Sequence, residues 1–516
     1  MHMSDLVHFI DSLASSKTRL RRSVDPFREG PTTEALFVSL PSLLLLVLVA
    51  IPISSVLLLA PGRGRAESCE RLELDRILPR IVPEIDSYSL PNGLRVHLVP
   101  RADERSVTVR IGYDVGARDE APDRSGVAHL FEHMMFKGSE QIPDGGHFRL
   151  VRDVGGRTNA ETDYDTTQYW NTVPSAALPR VLFAEADRLR GIRITDANLA
   201  NQRASIQEEG LGLANLPYVA AATEFGLELW SGTPYGHSPI GSDAELAAMD
   251  ESEARRFHAD YYTPSNAVLV VVGGFEPRSA RAAIERSFGS IPPGHPRPPR
   301  NDFEVDRRPI RRVIDDPLAP FPLYAVVWHG VGSRNDDALV LSVLDSLLMG
   351  YPDARLERAI RGSLVIDAYS VSFALRDVGL LNIAFAPRTF ASFEDIQQAM
   401  ERVVEPLRQD GPTSAELCKS LRSEQSKRLA ALGTNEGVAA AIVRGSLIQD
   451  DPRFFEEELR RLDSLQSEDI KSAAREYLVP DYSTLEIRPA GVMRWLKPIL
   501  EVLPSGVGSS LEGMLL

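Results

Sequence analysis

His129, Glu132 and His133 fall within five residues of a 516-residue chain, in the stretch GVAHLFEHMMFKG that begins at Gly126. Residues three and four apart share one face of a helix, so this spacing stacks two imidazoles and a carboxylate in a single row with Phe136. Two imidazoles one turn apart can hold one zinc ion at about 2.0–2.1 Å each. The carboxylate beside them can take a proton from a water held there. The bland alternative is a pair of surface histidines on an amphipathic helix. Val127, Leu130, Phe131 and Met134 form a wholly apolar second row that can face a core while the first lines a cleft. Ser125 is the predicted N-cap of this helix, and Lys137-Gly138 its stop.

A catalytic zinc takes three protein ligands and leaves one position for water, so a third ligand is needed. The stretch NLANQRASIQEEGLGLANLPY, from Asn198 to Tyr218, offers one. Leu199, Gln202, Ile206, Glu209 and Leu213 fall on one helical face, which is otherwise inward-looking. Glu208 sits about 100° around the helix and reads as solvated. A carboxylate on an apolar face is costly unless it is paired or bound to metal, which favours Glu209 over Glu208 as the ligand.

The elements that position these residues alternate between strand and helix from residue 85 onward. GLRVHLVPR and SVTVRIGYDVG read as paired strands. The sequence then repeats itself. Val115 and Val331, Gly116 and Gly332, Arg118 and Arg334, Tyr261 and Tyr477, and Pro264 and Pro480 are all 216 positions apart. A shared offset at both ends of a segment argues for a duplicated domain. The predicted fold is α+β: two homologous, α/β-sandwich-like halves, each a mostly antiparallel sheet flanked by helices, facing each other as a clamshell. The first half covers 85–289, a Pro-rich linker 290–305, and the second half 306–492, with a tail over 493–516. The same offset carries His129, Glu132 and His133 to Asp345, Leu348 and Met349, so the second half keeps the scaffold without the ligands. Side chains needed for folding would tend to be retained there, and function is the better explanation.

Composition narrows the class. Apolar residues at 43% and charged residues at 25% are ordinary for a folded protein. A formal charge of −15 argues against a nucleic-acid partner, because nothing offsets phosphate repulsion. Cys69 and Cys418 are the only cysteines, and with no CxxC pair neither a cysteine zinc site nor a disulfide framework is expected. Both are read as structural or incidental. The N-terminus reads differently from the rest. A head over 1–34, expected to be disordered, precedes an uncharged apolar stretch over 35–62, long enough to span a bilayer as an anchor or to act as a signal segment. Lys17, Arg19, Arg21 and Arg22 lie ahead of it, which suggests a cytoplasmic head. Residues 63–84 then read as a linker. Export to a periplasmic or other extracytoplasmic location follows, with 35–62 as a possible tether to the inner membrane.

HLFEH, together with GGRTNAETDYDTTQYW (155–170), NQRASIQEEGLGLANLPY and PYGHSPIGS (234–242), resembles the pitrilysin/insulinase family of zinc metallopeptidases, the inverzincins. The resemblance covers about residues 85–490 and is closest to the two-domain bacterial processing-protease type. It implies one zinc ion per chain, held by His129, His133 and Glu209, with Glu132 as catalytic base. It also implies a peptide or unfolded protein substrate laid along the strand edge at Asn159 and Ala160. That fits main-chain pairing, which is tolerant of substrate sequence. In the second half, Arg361 and Tyr369 match a pair that holds the substrate carbonyl, spaced eight apart here where the family has seven. Gln202 stands where several members carry a supporting glutamate. The implied activity is a zinc metalloendopeptidase working as a homodimer or beside a related metal-free subunit. The competing readings are a non-catalytic peptide-binding or assembly subunit and a membrane-tethered chaperone.

Overall fold

The computed structural model describes residues 72–491, apart from 83, 389 and 390. The head, the apolar stretch over 35–62 and the tail lie outside the described residues. Among the described residues no helix is long and apolar enough to cross a membrane. The later part of the segment expected as a linker instead forms a helix, Leu74–Ile81, whose Leu74 and Leu78 are buried.

The first sheet holds β1 (Asp86–Ser89), β2 (Arg95–Pro100), β3 (Ser106–Tyr113), β4 (Arg157–Thr162), β5 (Thr167–Pro174) and β6 (Ala267–Gly273), in the order β1-β2-β6-β3-β5-β4. The second holds β7 (Arg311–Asp316), β8 (Leu323–His329), β9 (Val365–Ser370), β10 (Phe373–Ala374), β11 (Gly379–Pro387) and β12 (Ser483–Pro489). Its order is β10-β11-β8-β12-β7, with β9 also on β11. Each sheet is antiparallel except for one pair, β2 with β6 and β7 with β12. Both strands of the second pair begin 216 residues after those of the first, so the repeat in the sequence is a repeat of topology.

Each sheet is covered on both faces. On the first, Leu269 and Val271 of β6 pack with the helices Val127–Met134, Leu178–Arg190 and Pro277–Phe288, while Val268, Val270 and Val272 point the other way. That second face is closed by Val438, Ile442, Val443 and Leu447 of the helix Asn435–Ile448, which lies far along the chain. The arrangement is reciprocated. Val219, Phe225 and Leu229 of the helix Val219–Leu229 close a face of the second sheet against Leu323, Ala325, Leu485 and Ile487. The two helices occupy corresponding places in the repeat, so each sheet borrows a cover from the other. A buried Val, Leu or Ile contributes about 1.5–3 kcal/mol, against about 0–1 kcal/mol for a surface ion pair, so this exchange dominates the joining of the sheets.

Local chemistry fixes the remaining joints. The Pro-rich segment is pinned by Arg300, which donates to Asp119 at 2.7 Å and to Asp114 at 3.0 Å. Cys418, on the helix Ser414–Ala431, is disulfide-bonded, and no described cysteine is free. Of the two readings of Cys418, structural or incidental, this selects the structural one.

His97 of β2 is wedged under the borrowed helix, with Nδ1 2.8 Å from Ser87 Oγ and Nε2 3.2 Å from Ser446 Oγ. Burial, reinforced by Arg95, pushes the imidazole down to about 4. The folded state therefore resists a proton that the unfolded chain accepts near 6.5. The stability this gives is complete above pH 6.5 and is lost as pH falls from 6.5 towards 4. Burial sends His147 and His258 the same way, to about 3 and about 4. The urea midpoint should fall between pH 6.5 and pH 4, and His97→Gln should fall less steeply. An unchanged slope in the variant would remove His97 from this account.

Candidate metal centre

The histidine row lies on the helix Val127–Met134, where Val127, Leu130, Phe131 and Met134 are buried in the core as their periodicity predicts. The helix packs against the helix Asp196–Ala214 and against β4 and β5. Thr195 caps that second helix, its hydroxyl accepting from the Asn198 amide at 3.2 Å. On its inner face Leu199, Gln202 and Ile206 are buried, Glu209 is half-buried and Glu208 is exposed. The apolar row therefore turns Glu209, not Glu208, towards the histidines.

The three candidate ligands converge. Nε2 of His129 and of His133 lie 3.7 and 3.6 Å from the same Oε2 of Glu209. Donor atoms from the three side chains all lie within 4.8 Å of one another. Two donors at about 2.0–2.1 Å from a tetrahedral zinc stand about 3.4 Å apart, so this trio fits a zinc ion with little movement. Its composition, two imidazoles and one carboxylate, is also a donor set that zinc accepts. Among the described residues it is the one group of this kind.

Electrostatics favour the ligand form of His129 and Glu209 and draw His133 towards its protonated form. Burial, with His133 beside it, pushes His129 down to about 4, leaving it neutral with lone pairs available. His133 is raised in spite of its burial, because Glu209, Glu132 and Gln202 all act on it. Glu209 is lowered against its own burial by the two histidines. Burial pushes Glu132 up to about 7, with Thr162 and His133 pulling the other way.

Asn159 and Ala160 lie on β4, which pairs with β5 on one side only and is an edge of the sheet. The next residue, Glu161, enters the wall of a cavity of about 750 Å³ between the sheets, also lined by Arg110, Asp165, Asp345 and Glu424. Arg361 and Tyr369 converge elsewhere. Arg361 donates to Glu357 at 2.7 Å and pairs with Asp367 at 2.7 Å, while the Tyr369 hydroxyl donates to the same Asp367.

The counterparts of His129 and Glu132 in the second half, Asp345 and Leu348, make no such centre. Asp345 accepts from Ser370 Oγ at 2.5 Å and Ser372 Oγ at 2.8 Å, and Leu348 is fully buried. His147 has a partner that the sequence did not reveal. Its Nε2 lies 3.5 Å from Ser139 Oγ, which donates to Asp187, and all three side chains are buried.

One expectation fails at the start of the histidine helix. Ser125 is not its N-cap. Gly126 occupies that place with φ at +85°, and the Glu120 carboxylate accepts from the Gly126 amide at 2.9 Å and the Ala128 amide at 2.8 Å. Ser125 instead donates its amide to Glu245 at 2.6 Å. Gly126 meets Gly241 of the PYGHSPIGS stretch so closely that a Cβ on it would stand 2.7 Å from Gly241 Cα. With no Cβ on either residue, two left-handed turns fit back to back.

Two like sheets, with a three-donor centre on only one of them, define a duplicated α/β protein with a single metal-type site among the described residues. The chain belongs to peptidase family M16, the insulinase family. Residues 95–217 match the description "Insulinase (Peptidase family M16)" and residues 249–423 match "Peptidase M16 inactive domain". It is 24% identical over 415 residues to a zinc protease of Helicobacter pylori, covering 78% of this chain and 92% of that one. It is 28% identical over 425 residues to an uncharacterised zinc protease of Mycobacterium bovis, covering 80% and 95%. In fold it resembles the crystal structure of a protease from Helicobacter pylori, with a TM-score of 0.73 at 23% identity, covering 79% of this chain and all of that one.

Proposed function

We propose that this chain is a zinc-dependent endopeptidase acting on peptides or unfolded protein segments. The observation that carries the reading is the trio His129, His133 and Glu209 around one point, with Glu132 half-buried on the same helical row. One zinc ion per chain would be held by that trio. When bound, such an ion supplies Lewis acidity to a water and to the scissile carbonyl. Glu132 takes the proton of the attacking water and passes it to the leaving amine. The peptide pairs with the open edge of β4 at Asn159 and Ala160 and extends into the cavity beyond Glu161. To hold a substrate carbonyl, Tyr369 would turn its hydroxyl away from Asp367, while Arg361 keeps N–H groups to spare beside Glu357 and Asp367.

The match of residues 249–423 to an inactive domain favours a binding role for that part of the chain. A whole chain that only grips peptides is therefore the second reading. Incubating zinc-loaded protein with a peptide library, then mapping cuts by mass spectrometry with and without chelator, separates the two. Cuts that vanish with chelator and return with zinc are expected. A chain that holds stoichiometric zinc and makes no cuts overturns the peptidase reading.

The wider expectations belong to the same proposal. A homodimer, or a heterodimer with a metal-free relative, would complete the chamber around the substrate. A periplasmic or extracytoplasmic location agrees with the bonded state of Cys418, since disulfides persist in oxidising compartments.

A further inference from the structure

The histidine helix is capped from a distance. Its opening amides are held by both oxygens of Glu120, whose side chain has no solvent exposure. A buried carboxylate at a helix start adds charge-assisted hydrogen bonds to the favourable dipole there, so the helix takes its position from where Glu120 is fixed.

Glu120 is itself fixed by His237. Nε2 of that ring lies 2.9 Å from Glu120 Oε2 and 2.9 Å from the Ala117 carbonyl oxygen. A carbonyl can only accept, so this nitrogen carries the proton and donates to both.

The turn Ala117–Asp119 between them carries Arg118, and Arg118 reaches into the other sheet. Its guanidinium, 3% exposed, donates to Asp377 in the turn before β11, to the Tyr235 hydroxyl at 2.7 Å and to Asp165 at 3.4 Å. Tyr235 in turn donates to Asp165 at 2.8 Å, and it stands two residues from His237. Asp165 precedes β5 as Asp377 precedes β11, so Arg118 bridges corresponding turns of the two sheets. A continuous polar path therefore runs from Asp377 through Arg118 and the 117–120 turn to the first turn of the histidine helix.

We propose that Glu120 and His237 are positioning residues for the metal centre, and that Asp377 of the second sheet governs their placement through Arg118. The ligand-free half thereby sets the geometry of the half that carries the ligands. The proposal rests on the metal-centre reading above, and only its activity arm rests on the peptidase reading. None of the three touches the ligands, so their effect must pass through the helix.

The test uses the full chain and three variants, Glu120→Gln, Asp377→Asn and the double variant. Zinc affinity is measured by competition with a chromophoric chelator, and the cobalt-substituted protein is read by its visible absorption spectrum. Melting temperature, kcat and KM complete the set. Glu120→Gln should weaken zinc about tenfold, as loss of an orienting group behind a ligand does, and alter the cobalt spectrum. Its kcat should fall with KM nearly unchanged.

Asp377→Asn decides the relay, because its side chain is 34% exposed and its loss leaves both cores intact. It should move the zinc affinity and the cobalt spectrum in the same direction, and the double variant should lose less than the product of the two single losses. A wild-type cobalt spectrum and zinc affinity in Asp377→Asn overturn the proposal, even if Glu120→Gln fails to fold. Multiplicative losses in the double variant overturn it as well. A wild-type chain that binds metal and cuts no peptide removes the peptidase reading and leaves both metal readouts in force. A wild-type chain that binds no metal removes the metal centre and this proposal together.

Discussion

Replacing Glu132 with glutamine is expected to leave zinc bound and to lower kcat for peptide cleavage about 10²- to 10⁴-fold, the range general acid–base catalysis contributes. The amide keeps the size and hydrogen-bonding reach of the carboxylate, so the core around Leu130 and Phe131 should not notice the change. What is lost is proton affinity. Burial already lifts the Glu132 carboxyl to about 7, while an amide cannot accept the proton at all. KM should change little, because Glu132 is not on the β4 edge that pairs with substrate. Zinc content by atomic absorption and a fluorogenic peptide assay read the two halves of this expectation. A variant that cleaves at the wild-type rate removes Glu132 from the chemistry.

The second large effect is the contrast between Glu209→Ala and Glu208→Ala. The neighbours differ by one residue in sequence and by the face of the helix they occupy. Glu209 places an oxygen 3.6–3.7 Å from both ligand nitrogens, whereas Glu208 is exposed. Removing Glu209 takes away one of three ligands, and zinc affinity should drop by at least about 100-fold, the upper end of what loss of a supporting group behind a ligand costs. It also takes from His133 the first of the partners that raise it. Glu208→Ala should bind zinc and cleave peptide as the parent does. Equal losses in both variants would place the ligand elsewhere.

The sequence carried these local facts well, for a physical reason. The row of His129, Glu132 and His133 and the apolar row behind it are set by a 3.6-residue period within one helix. The inward turn of Glu209 is set by the same period beside Leu199 and Ile206, and both rows pack as that period requires. The repeat of 216 residues was equally legible, because β2 and β6 and their copies β7 and β12 keep register along the chain. Ser125 misled because serine before a helix is the usual local cap. Glu120 outcompetes it with two oxygens and a charge, from a turn whose course depends on His237, 117 residues away.

What the sequence by itself determined, then, is the set of helical faces, the duplication of the domain and the donor types in the candidate centre. Only the tertiary structure decided which sheet each helix covers, that Asn435–Ile448 and Val219–Leu229 are exchanged, and that Arg361 and Tyr369 both meet Asp367. It alone joined Arg118 to Asp377 across 259 residues, and His97 to Ser446 across 349. Periodicity records which way a side chain faces. The identity of the partner it meets depends on how distant segments fill one shared core, and a linear pattern does not contain that.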